Sequence, residues 1–572
     1  MRPSLVAEVQ AWVDADPDPA TRAELRTLLE AGDSEALEAR FAHPLSFGTA
    51  GLRGPLGAGP ARMCRLVVRR TTSGLARWIW RQGEATAGAG VVVGHDARHG
   101  SATFAADVAE VASGAGVPVH AFRRALPTPL TAFAVRHLRA GAGVMITASH
   151  NPATDNGYKV YEADGAQLLP PHDQEVAEAA AEAAGSASER GAGRGRAAVA
   201  HLDEAALIGA YSERVLDLLD PDGPRQLRVV YTPLHGVGGA LTPRMLEIAG
   251  FAPPVPVPAQ AEPDPDFPTL RFPNPEEPGA LDLALAQADA VGADLVLAND
   301  PDADRLAVAV PAPPGRGRPP ARERAGWRVL SGDELGALFA DHLLSRTEGP
   351  DRLVATTIVS SSLLEALAAE HGVDYVETLT GFKWIARAAA HRPGRRLLFG
   401  YEEALGYAVS DAVADKDGVS AAVLAAAIAA EALAAGASLL DRLDLLESRL
   451  GVHATAQWSL RLTGPDAGEQ LASVVDRWRA DPPVRLAGIE VSDVVDLSRG
   501  APGLPPTDAV VVRLGGAGRV VIRPSGTEPK LKAYLEATTP PPGPSGLAKA
   551  RREAARLLSA LEAEVACRCG QG

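Results

Sequence analysis

Three aspartates at alternate positions stand in the run Asn299-Asp300-Pro301-Asp302-Ala303-Asp304-Arg305. The run directly follows the apolar segment 294–298, which reads as a buried strand. Carboxylates at that spacing can turn toward one centre, and such a set of hard oxygen donors suits Mg2+. A Ca2+ loop of the EF-hand type competes with this reading and fails. Its sixth position would be Arg305 where glycine is needed, and its twelfth Pro311 where a bidentate glutamate is needed. An exposed acidic turn is the plain alternative, but clustered carboxylates after a buried strand repel one another unless a cation or ligand offsets them. Arg305 could neutralise part of that charge or reach a phosphate.

A second apolar strand, 143–146, runs into Thr147-Ala148-Ser149-His150-Asn151-Pro152. A serine at the exposed end of a buried strand can present its hydroxyl at the sheet edge, where backbone N–H groups can stabilise a phosphate. Asn151-Pro152 forces a turn just after it. Alone, Ser149 reads equally as part of a polar strand-to-loop turn. A third run, Arg523-Pro524-Ser525-Gly526-Thr527-Glu528-Pro529-Lys530, places two small hydroxyl residues around a glycine between two cations. That composition makes a phosphate cradle or a plain turn. A Walker A pattern, H-E-x-x-H and G-x-S-x-G do not occur, and Gly236-Val237-Gly238-Gly239 does not complete G-x-G-x-x-G.

These runs need elements to hold them. Short apolar segments (90–93, 117–122, 143–146, 293–298) alternate with alanine-rich helical stretches, which indicates α/β architecture with buried strands. At 572 residues the chain predicts several domains. Their expected bounds are 1–210, with an N-terminal helical extension and an amphipathic run from Thr21 to Phe41, then 211–325, 326–451 and 452–572. The polar stretch 185–196 reads as a flexible loop, 311–325 as a surface hairpin or linker, and 510–514 and 519–522 as strands before a helix from Leu547 onward.

A net charge of -15 argues against sequence-independent nucleic-acid binding, although a local cluster of cations could still bind an anionic substrate. The three cysteines, Cys64, Cys567 and Cys569, form no even disulfide framework and fit a reducing cytoplasm. Cys567 and Cys569 read as part of a frayed tail, with metal binding or oxidation as the alternative. The apolar stretch 419–440 is mostly alanine, is interrupted by Glu431, and predicts a buried helix, not a membrane span. The first thirty residues are unlike a secretory signal. Nothing in the sequence sets an oligomeric state.

Taken together, the motifs resemble the α-D-phosphohexomutase superfamily. Phe47-Gly48-Thr49-Ala50-Gly51-Leu52-Arg53-Gly54 is similar to its N-terminal signature, Thr147 to Pro152 to its phosphoserine loop, and Asp300 to Arg305 to its metal loop. Glu402-Glu403-Ala404-Leu405-Gly406 falls where its sugar loop should be, and Arg523 to Lys530 resembles its phosphate-binding loop. The resemblance implies four domains around a central cleft, three related α/β domains and a smaller C-terminal α+β domain. It implies Ser149 as the phosphorylated nucleophile. Mg2+ would be held by Asp300, Asp302, Asp304 and the Ser149 phosphate. Lys159 would be the acid/base group, and His150, Arg53 and Arg305 would line the transfer centre. Thr380, Gly381, Lys383, Glu402, Lys416, Arg523, Ser525, Gly526 and Thr527 would bind the phosphosugar. The implied activity is interconversion of hexose 1-phosphate and hexose 6-phosphate, glucose or mannose, primed by glucose 1,6-bisphosphate or a related sugar bisphosphate.

One position departs from the hexose pattern. A serine is usual two residues after the first glutamate of the sugar loop, and here that residue is Ala404. The sequence Glu402 to Tyr407, with Asp415-Lys416-Asp417-Gly418 just after, is more similar to the branch that includes phosphopentomutases and glucose-bisphosphate-related mutases. A phosphopentomutase is therefore the alternative, and a non-catalytic phosphosugar-binding protein a further one. Intact Ser149, Lys159 and all three aspartates argue against the last, because binding alone does not require that whole set.

Overall fold

The computed structural model describes residues 2–48, 51–184, 195–312, 323–324, 326–390, 392–462, 467–524 and 530–570. The chain divides into two units, one of residues 1–221, 228–306 and 410–423, the other of 222–227, 307–409 and 424–572.

The first unit opens with helices Pro3–Ala15, Pro19–Ala31 and Ser34–Phe41. The amphipathic run predicted from Thr21 to Phe41 is thus two helices. Gly32 ends the first at φ 66°, a left-handed conformation glycine adopts without a Cβ clash, and Asp33 caps the second through Ala36 N. Leu5, Val9, Trp12, Leu25 and Leu37 bury together with Ala58, Cys64 and Leu66.

Next comes a sheet of β1 (Leu52–Pro55), β2 (Val91–His95), β3 (Val119–Ala121), β4 (Ala142–Ile146), β5 (Asp155–Glu162) and β6 (Val199–His201). Among the described residues its order is β1-β5-β4-β2-β3-β6. Strands β4, β2, β3 and β6 run parallel, and β5 and β1 join antiparallel. Every residue of β4 is buried, as expected of a strand covered on both faces. The pairing of His95 with Ile146 ends β2 and β4 level with each other. The segments that follow them therefore lie side by side at the carboxyl edge, where open α/β sheets place ligands.

A second parallel set in this unit has β7 (Val229–Thr232) between β8 (Val255–Pro256) and β9 (Leu295–Asn299). Strand β9 is wholly buried and delivers the aspartate loop. Residues 410–423 also belong to this unit. Asp415 accepts from Tyr161 Oη at 3.1 Å and Gln167 Nε2 at 2.6 Å, and Asp417 accepts from Tyr211 Oη at 2.8 Å.

The unit division falls in β10 (Leu306–Pro311), which pairs antiparallel with β12 (Trp327–Val329), itself paired with β11 (Glu323–Arg324). The second unit then holds β13 (Arg352–Thr357), β14 (Asp374–Thr378), β15 (Arg396–Glu402) and β16 (Gly406–Ala408), in the order β14-β13-β15-β16 with only β16 antiparallel. Its last sheet is antiparallel throughout. It comprises β17 (His453–Arg461), β20 (Asp493–Asp496), β21 (Val510–Arg513), β22 (Gly518–Pro524) and β23 (Lys530–Thr538), ordered β17-β23-β22-β21-β20. A two-strand hairpin, β18 (Arg485–Leu486) and β19 (Ile489–Glu490), precedes β20.

The final helix, Gly543–Arg568, buries Leu561 and Val565 in the core with Trp478. Cys567 lies exposed within that helix and Cys569 is buried in the core at its end, so the two are held by the helix and not in the frayed tail expected. The stretch 419–440 becomes the helix Gly418–Ala434, and Ser438 caps a second helix, Leu439–Leu450, bent by 88° from the first. Among the described residues no single helix is long and apolar enough to cross a membrane. Of the predicted loop 185–196, residues 185–194 lie outside the described residues, as do 313–322 and 325 of the predicted hairpin.

Candidate active site

Strand β9 ends in Asn299, which is fully buried and closes the base of the aspartate loop. Its Nδ2 donates to Arg305 O at 2.6 Å, and its Oδ1 accepts from Tyr231 Oη at 2.8 Å and Thr242 Oγ1 at 3.0 Å. Within the loop Ala303 takes φ 56° and donates its N–H to Asp300 O at 2.8 Å. The tight turn folds the three carboxylates inward until ligand atoms of Asp300, Asp302 and Asp304 all lie within 4.8 Å of one another.

Ser149 follows β4 in the first sheet and is 1% exposed. Its N–H donates to Thr147 Oγ1 at 2.9 Å, and its backbone is held at φ 54°. A side chain in that region costs about 1–3 kcal/mol and persists only where the surroundings over-determine it. The strained turn aims Ser149 Oγ at the second loop, where it donates to Asp300 Oδ2 at 2.6 Å. His150 Nδ1 lies 3.1 Å from the same Oγ.

Lys159, on β5, is fully buried and donates to Asp302 Oδ2 at 2.7 Å and Asp304 Oδ2 at 2.8 Å. Lys416 Nζ lies 3.1 Å from Asp304 Oδ2 and 3.2 Å from Asp415 Oδ1. Arg305 Nε is 4.0 Å from Asp304 Oδ1, and Arg53 Nη1 donates to Asn151 Oδ1 at 3.4 Å.

Charge is balanced unevenly. Burial pushes the Asp304 carboxyl up, but Lys159, Lys416 and Arg305 outweigh it and hold the group well below the carboxylate range. Asp300 is pushed well above that range by burial and by the charges of Asp302 and Asp304. Burial, reinforced by Arg305 and Arg53, pushes His150 well below an ordinary imidazole and keeps it neutral at pH 7.

The site fits a divalent cation. Oδ1 of Asp302 and Oδ1 of Asp304 are buried without a hydrogen-bond partner, which leaves hard oxygen lone pairs turned into the buried cluster. Unsatisfied anionic oxygens in such a place are costly unless a cation meets them.

The structure therefore brings Ser149, His150, Lys159, Asp300, Asp302, Asp304 and Arg305 together, and Arg53 joins them through Asn151. Lys416, expected with the sugar-binding residues, sits against Asp304. In the second unit, Gly381 N donates to Glu402 Oε1 at 2.8 Å, which joins the helix start at Phe382–Ile385 to the end of β15. Thr380 precedes that pair, and Lys383 within the helix is 8% exposed. Arg523 stands on β22 opposite Lys532, while Ser525, Gly526 and Thr527 lie outside the described residues.

Some supporting residues carry no signal in the sequence. Thr128 is one, donating its N–H to Asp302 O at 2.9 Å and its hydroxyl to Asp302 Oδ2 at 2.7 Å across 174 positions of chain. Gly236 is another, since an added Cβ would lie 2.3 Å from Pro301 Cα. Its glycine cluster, unreadable as a nucleotide motif, seats the aspartate loop.

Residues 44–186, 210–315 and 331–447 match the phosphoglucomutase/phosphomannomutase alpha/beta/alpha domains I, II and III, and 469–542 match the C-terminal domain of that family. A phosphopentomutase of Mus musculus is 35% identical over 97% of this chain and 93% of its own length. A probable phosphomannomutase of Haemophilus influenzae is 37% identical over 83% of this chain and 93% of its own. Among solved structures, a phosphoglucomutase/phosphomannomutase family protein from Burkholderia thailandensis has the same fold, with a TM-score of 0.68 at 21% identity, covering 92% of this chain and 97% of that one. The expected α/β class, with three related α/β domains and a C-terminal domain, is met. With all four domains present in order and a relative this similar along nearly the whole chain, the protein belongs to the phosphoglucomutase/phosphomannomutase family and is an isomerase of that type.

Proposed function

We propose that the protein is a Mg2+-dependent phosphosugar mutase in which phosphorylated Ser149 exchanges its phosphoryl group with a sugar phosphate. One observation carries this reading. Ser149 Oγ, aimed by a strained backbone, lies 2.6 Å from a carboxylate of the buried aspartate triad on which Lys159 is anchored.

Asp300, Asp302 and Asp304 would hold Mg2+ together with the Ser149 phosphate, and the cation when bound neutralises charge on the transferring group. The protein's own part is positioning. The turn at Ser149 fixes the serine oxygen for in-line transfer, and Arg53, Arg305 and His150 line the phosphate. As the bond from phosphorus to Ser149 Oγ breaks, a bond forms to a sugar hydroxyl. The sugar hydroxyl loses its proton as Ser149 Oγ gains one, and we assign Lys159 the acid/base role beside the transferring oxygen. The sugar bisphosphate then returns its other phosphate to Ser149. Thr380, Gly381, Lys383 and Glu402 would hold the sugar, with Arg523, Ser525, Gly526 and Thr527 on the phosphate that is not transferring, and Lys416 between triad and substrate. A second phosphate locus separates a mutase from a hydrolase, which needs only one. Catalytic glucose 1,6-bisphosphate or a related bisphosphate would prime the enzyme, and a cytoplasmic setting would supply these metabolites.

The substrate we assign first is a hexose phosphate, glucose or mannose, supported by the similarity to a phosphomannomutase. A second reading, ribose 1-phosphate to ribose 5-phosphate, is favoured by Ala404 and by the similarity of phosphopentomutase over 97% of the chain. The test is a Mg2+-dependent mutase assay primed with glucose 1,6-bisphosphate, comparing glucose 1-phosphate, mannose 1-phosphate and ribose 1-phosphate while following free phosphate. Isomerisation with little phosphate released is expected, highest in kcat/KM on a hexose phosphate. Equal or higher kcat/KM on ribose 1-phosphate reverses the order, and phosphate release without isomerisation contradicts the mutase.

A further inference from the structure

We infer that Arg98 is a positioning residue for phosphoryl transfer: it clamps the main chain of the 149–155 loop and so sets the aim of Ser149. The inference rests on Ser149 being the nucleophile. Arg98 comes three residues after β2, and the level ends of β2 and β4 put it beside the Ser149 turn; Asp96 N donates to Ile146 O at 3.0 Å. Its side chain is buried, 1% exposed. Nη2 donates to Ser149 O at 2.6 Å and Asn151 O at 2.7 Å, and Nη1 donates to Pro152 O at 2.8 Å and Asp155 O at 3.2 Å.

Four carbonyls of one seven-residue loop thus converge on a single planar guanidinium. The fork is itself immobilised. Nε lies 3.3 Å from Asp96 Oδ2, Asp96 Oδ1 accepts from Arg98 N at 3.0 Å and Ser101 Oγ at 2.6 Å, and the ring of Phe267 lies under the guanidinium at 4.9 Å. Asn156 ties the far end of the loop to the same network through Ser101 Oγ at 2.9 Å. The position held at φ 54° needs over-determination, and these bonds supply it. A lysine would keep the buried charge beside Asp96, but its point-like ammonium cannot span carbonyls that a planar fork reaches. Arg98 feels the charges of Asp302 and Asp300, but its guanidinium hydrogen bonds all run to carbonyls of the loop, and it is through these that it sets the aim of Ser149.

The test is steady-state kinetics on glucose 1-phosphate or the preferred substrate, with Mg2+ and glucose 1,6-bisphosphate, for Arg98→Lys, Arg98→Ala and Ser149→Ala, each checked by thermal melting. Arg98→Lys keeps the charge and is the variant that stays folded if Arg98→Ala does not. The expected result is a kcat about 100-fold lower in Arg98→Lys with KM roughly unchanged, the scale of loss from misplacing a reacting group by about 1 Å. Guanidinium ion added to folded Arg98→Ala should restore part of kcat, and methylammonium should not. Arg98→Lys at wild-type kcat while Ser149→Ala is inactive overturns this inference alone. Turnover surviving in Ser149→Ala overturns the Ser149 reading and this inference with it.

Discussion

The ammonium of Lys159 lies 2.8 Å from Oδ2 of Asp304, and neither side chain reaches solvent. The two residues are 145 positions apart and meet only because β5 and the loop after β9 face each other within the first unit. Replacing Lys159 by methionine leaves the carboxylates of Asp302 and Asp304 buried without their shared cation. Loss of one partner of such a buried pair costs about 3–5 kcal/mol. Urea denaturation of Lys159→Met should show a loss of that order without Mg2+, partly recovered when Mg2+ is added, and turnover should fall by about 100-fold or more. Wild-type stability in the absence of Mg2+ would contradict the pairing described.

Gly236 predicts a steric effect on the same loop. Its added Cβ would sit 2.3 Å from Pro301 Cα and 2.4 Å from Pro301 O, both main-chain atoms that cannot step aside. Gly236→Ala should therefore lose about 1–3 kcal/mol and bind Mg2+ more weakly. Gly209, in the helix Glu204–Leu216, provides the control, because a methyl there meets nothing within 4 Å. Gly209→Ala should be neutral or more stable by up to about 1 kcal/mol. Equal behaviour of the two variants in denaturation and in Mg2+ titration would rule out the steric account.

The second unit carries a pH-dependent contribution at Glu536. This residue accepts from Ser361 Oγ at 2.9 Å and Ser362 N at 2.7 Å, with His453 Nδ1 at 3.3 Å and Arg519 Nε at 3.2 Å. Burial raises its pKa, but the hydrogen bond from His453 and the charge of Arg519 outweigh burial and bring it down to about 2 from 4.5. A depressed folded value means the contribution is complete above about pH 4.5 and is lost as pH falls toward 2. The amount is about 3 kcal/mol. Glu536→Gln should be less stable than wild type at pH 7 and should lose less stability between pH 4.5 and 2. Parallel pH profiles for the two proteins would argue against the network.

Sugar preference should respond to one methyl-to-hydroxymethyl change in the sugar loop. Ala404 lies between the half-buried Glu403, whose Oε2 accepts from Ser360 Oγ at 3.1 Å, and Leu405 at φ 63°. Ala404→Ser offers a hexose hydroxyl one more partner, an effect of a few-fold to about tenfold in kcat/KM. The ratio of glucose 1-phosphate to ribose 1-phosphate activity should rise, and an unchanged ratio would remove position 404 from the specificity account.

What the sequence shows and what it hides divide along physical lines. The aspartate triad and Ser149 are legible because each is a local pattern at the end of an apolar strand. Their partners are not, since Thr128 reaches Asp302 and Arg98 reaches the 149–155 loop only through strand order and register. The run Thr21 to Phe41 misleads because helical periodicity continues through Gly32, whose left-handed end is invisible to a count of apolar spacing. Lys416 is hidden for another reason. The resemblance sets it among the phosphosugar-binding residues, whereas Tyr161 and Tyr211 bury Asp415 and Asp417 on either side and so present Lys416 to Asp304.

The central claim is that Ser149 carries the phosphoryl group. Incubating the protein with glucose 1,6-bisphosphate and Mg2+, then locating phosphate by peptide mass spectrometry, tests it most directly. The account predicts one phosphate on the peptide containing Ser149, removed by excess sugar monophosphate, with Ser149→Ala folded, unphosphorylated and inactive. Near-normal mutase turnover in Ser149→Ala, or phosphate located on another residue while turnover proceeds, would contradict it.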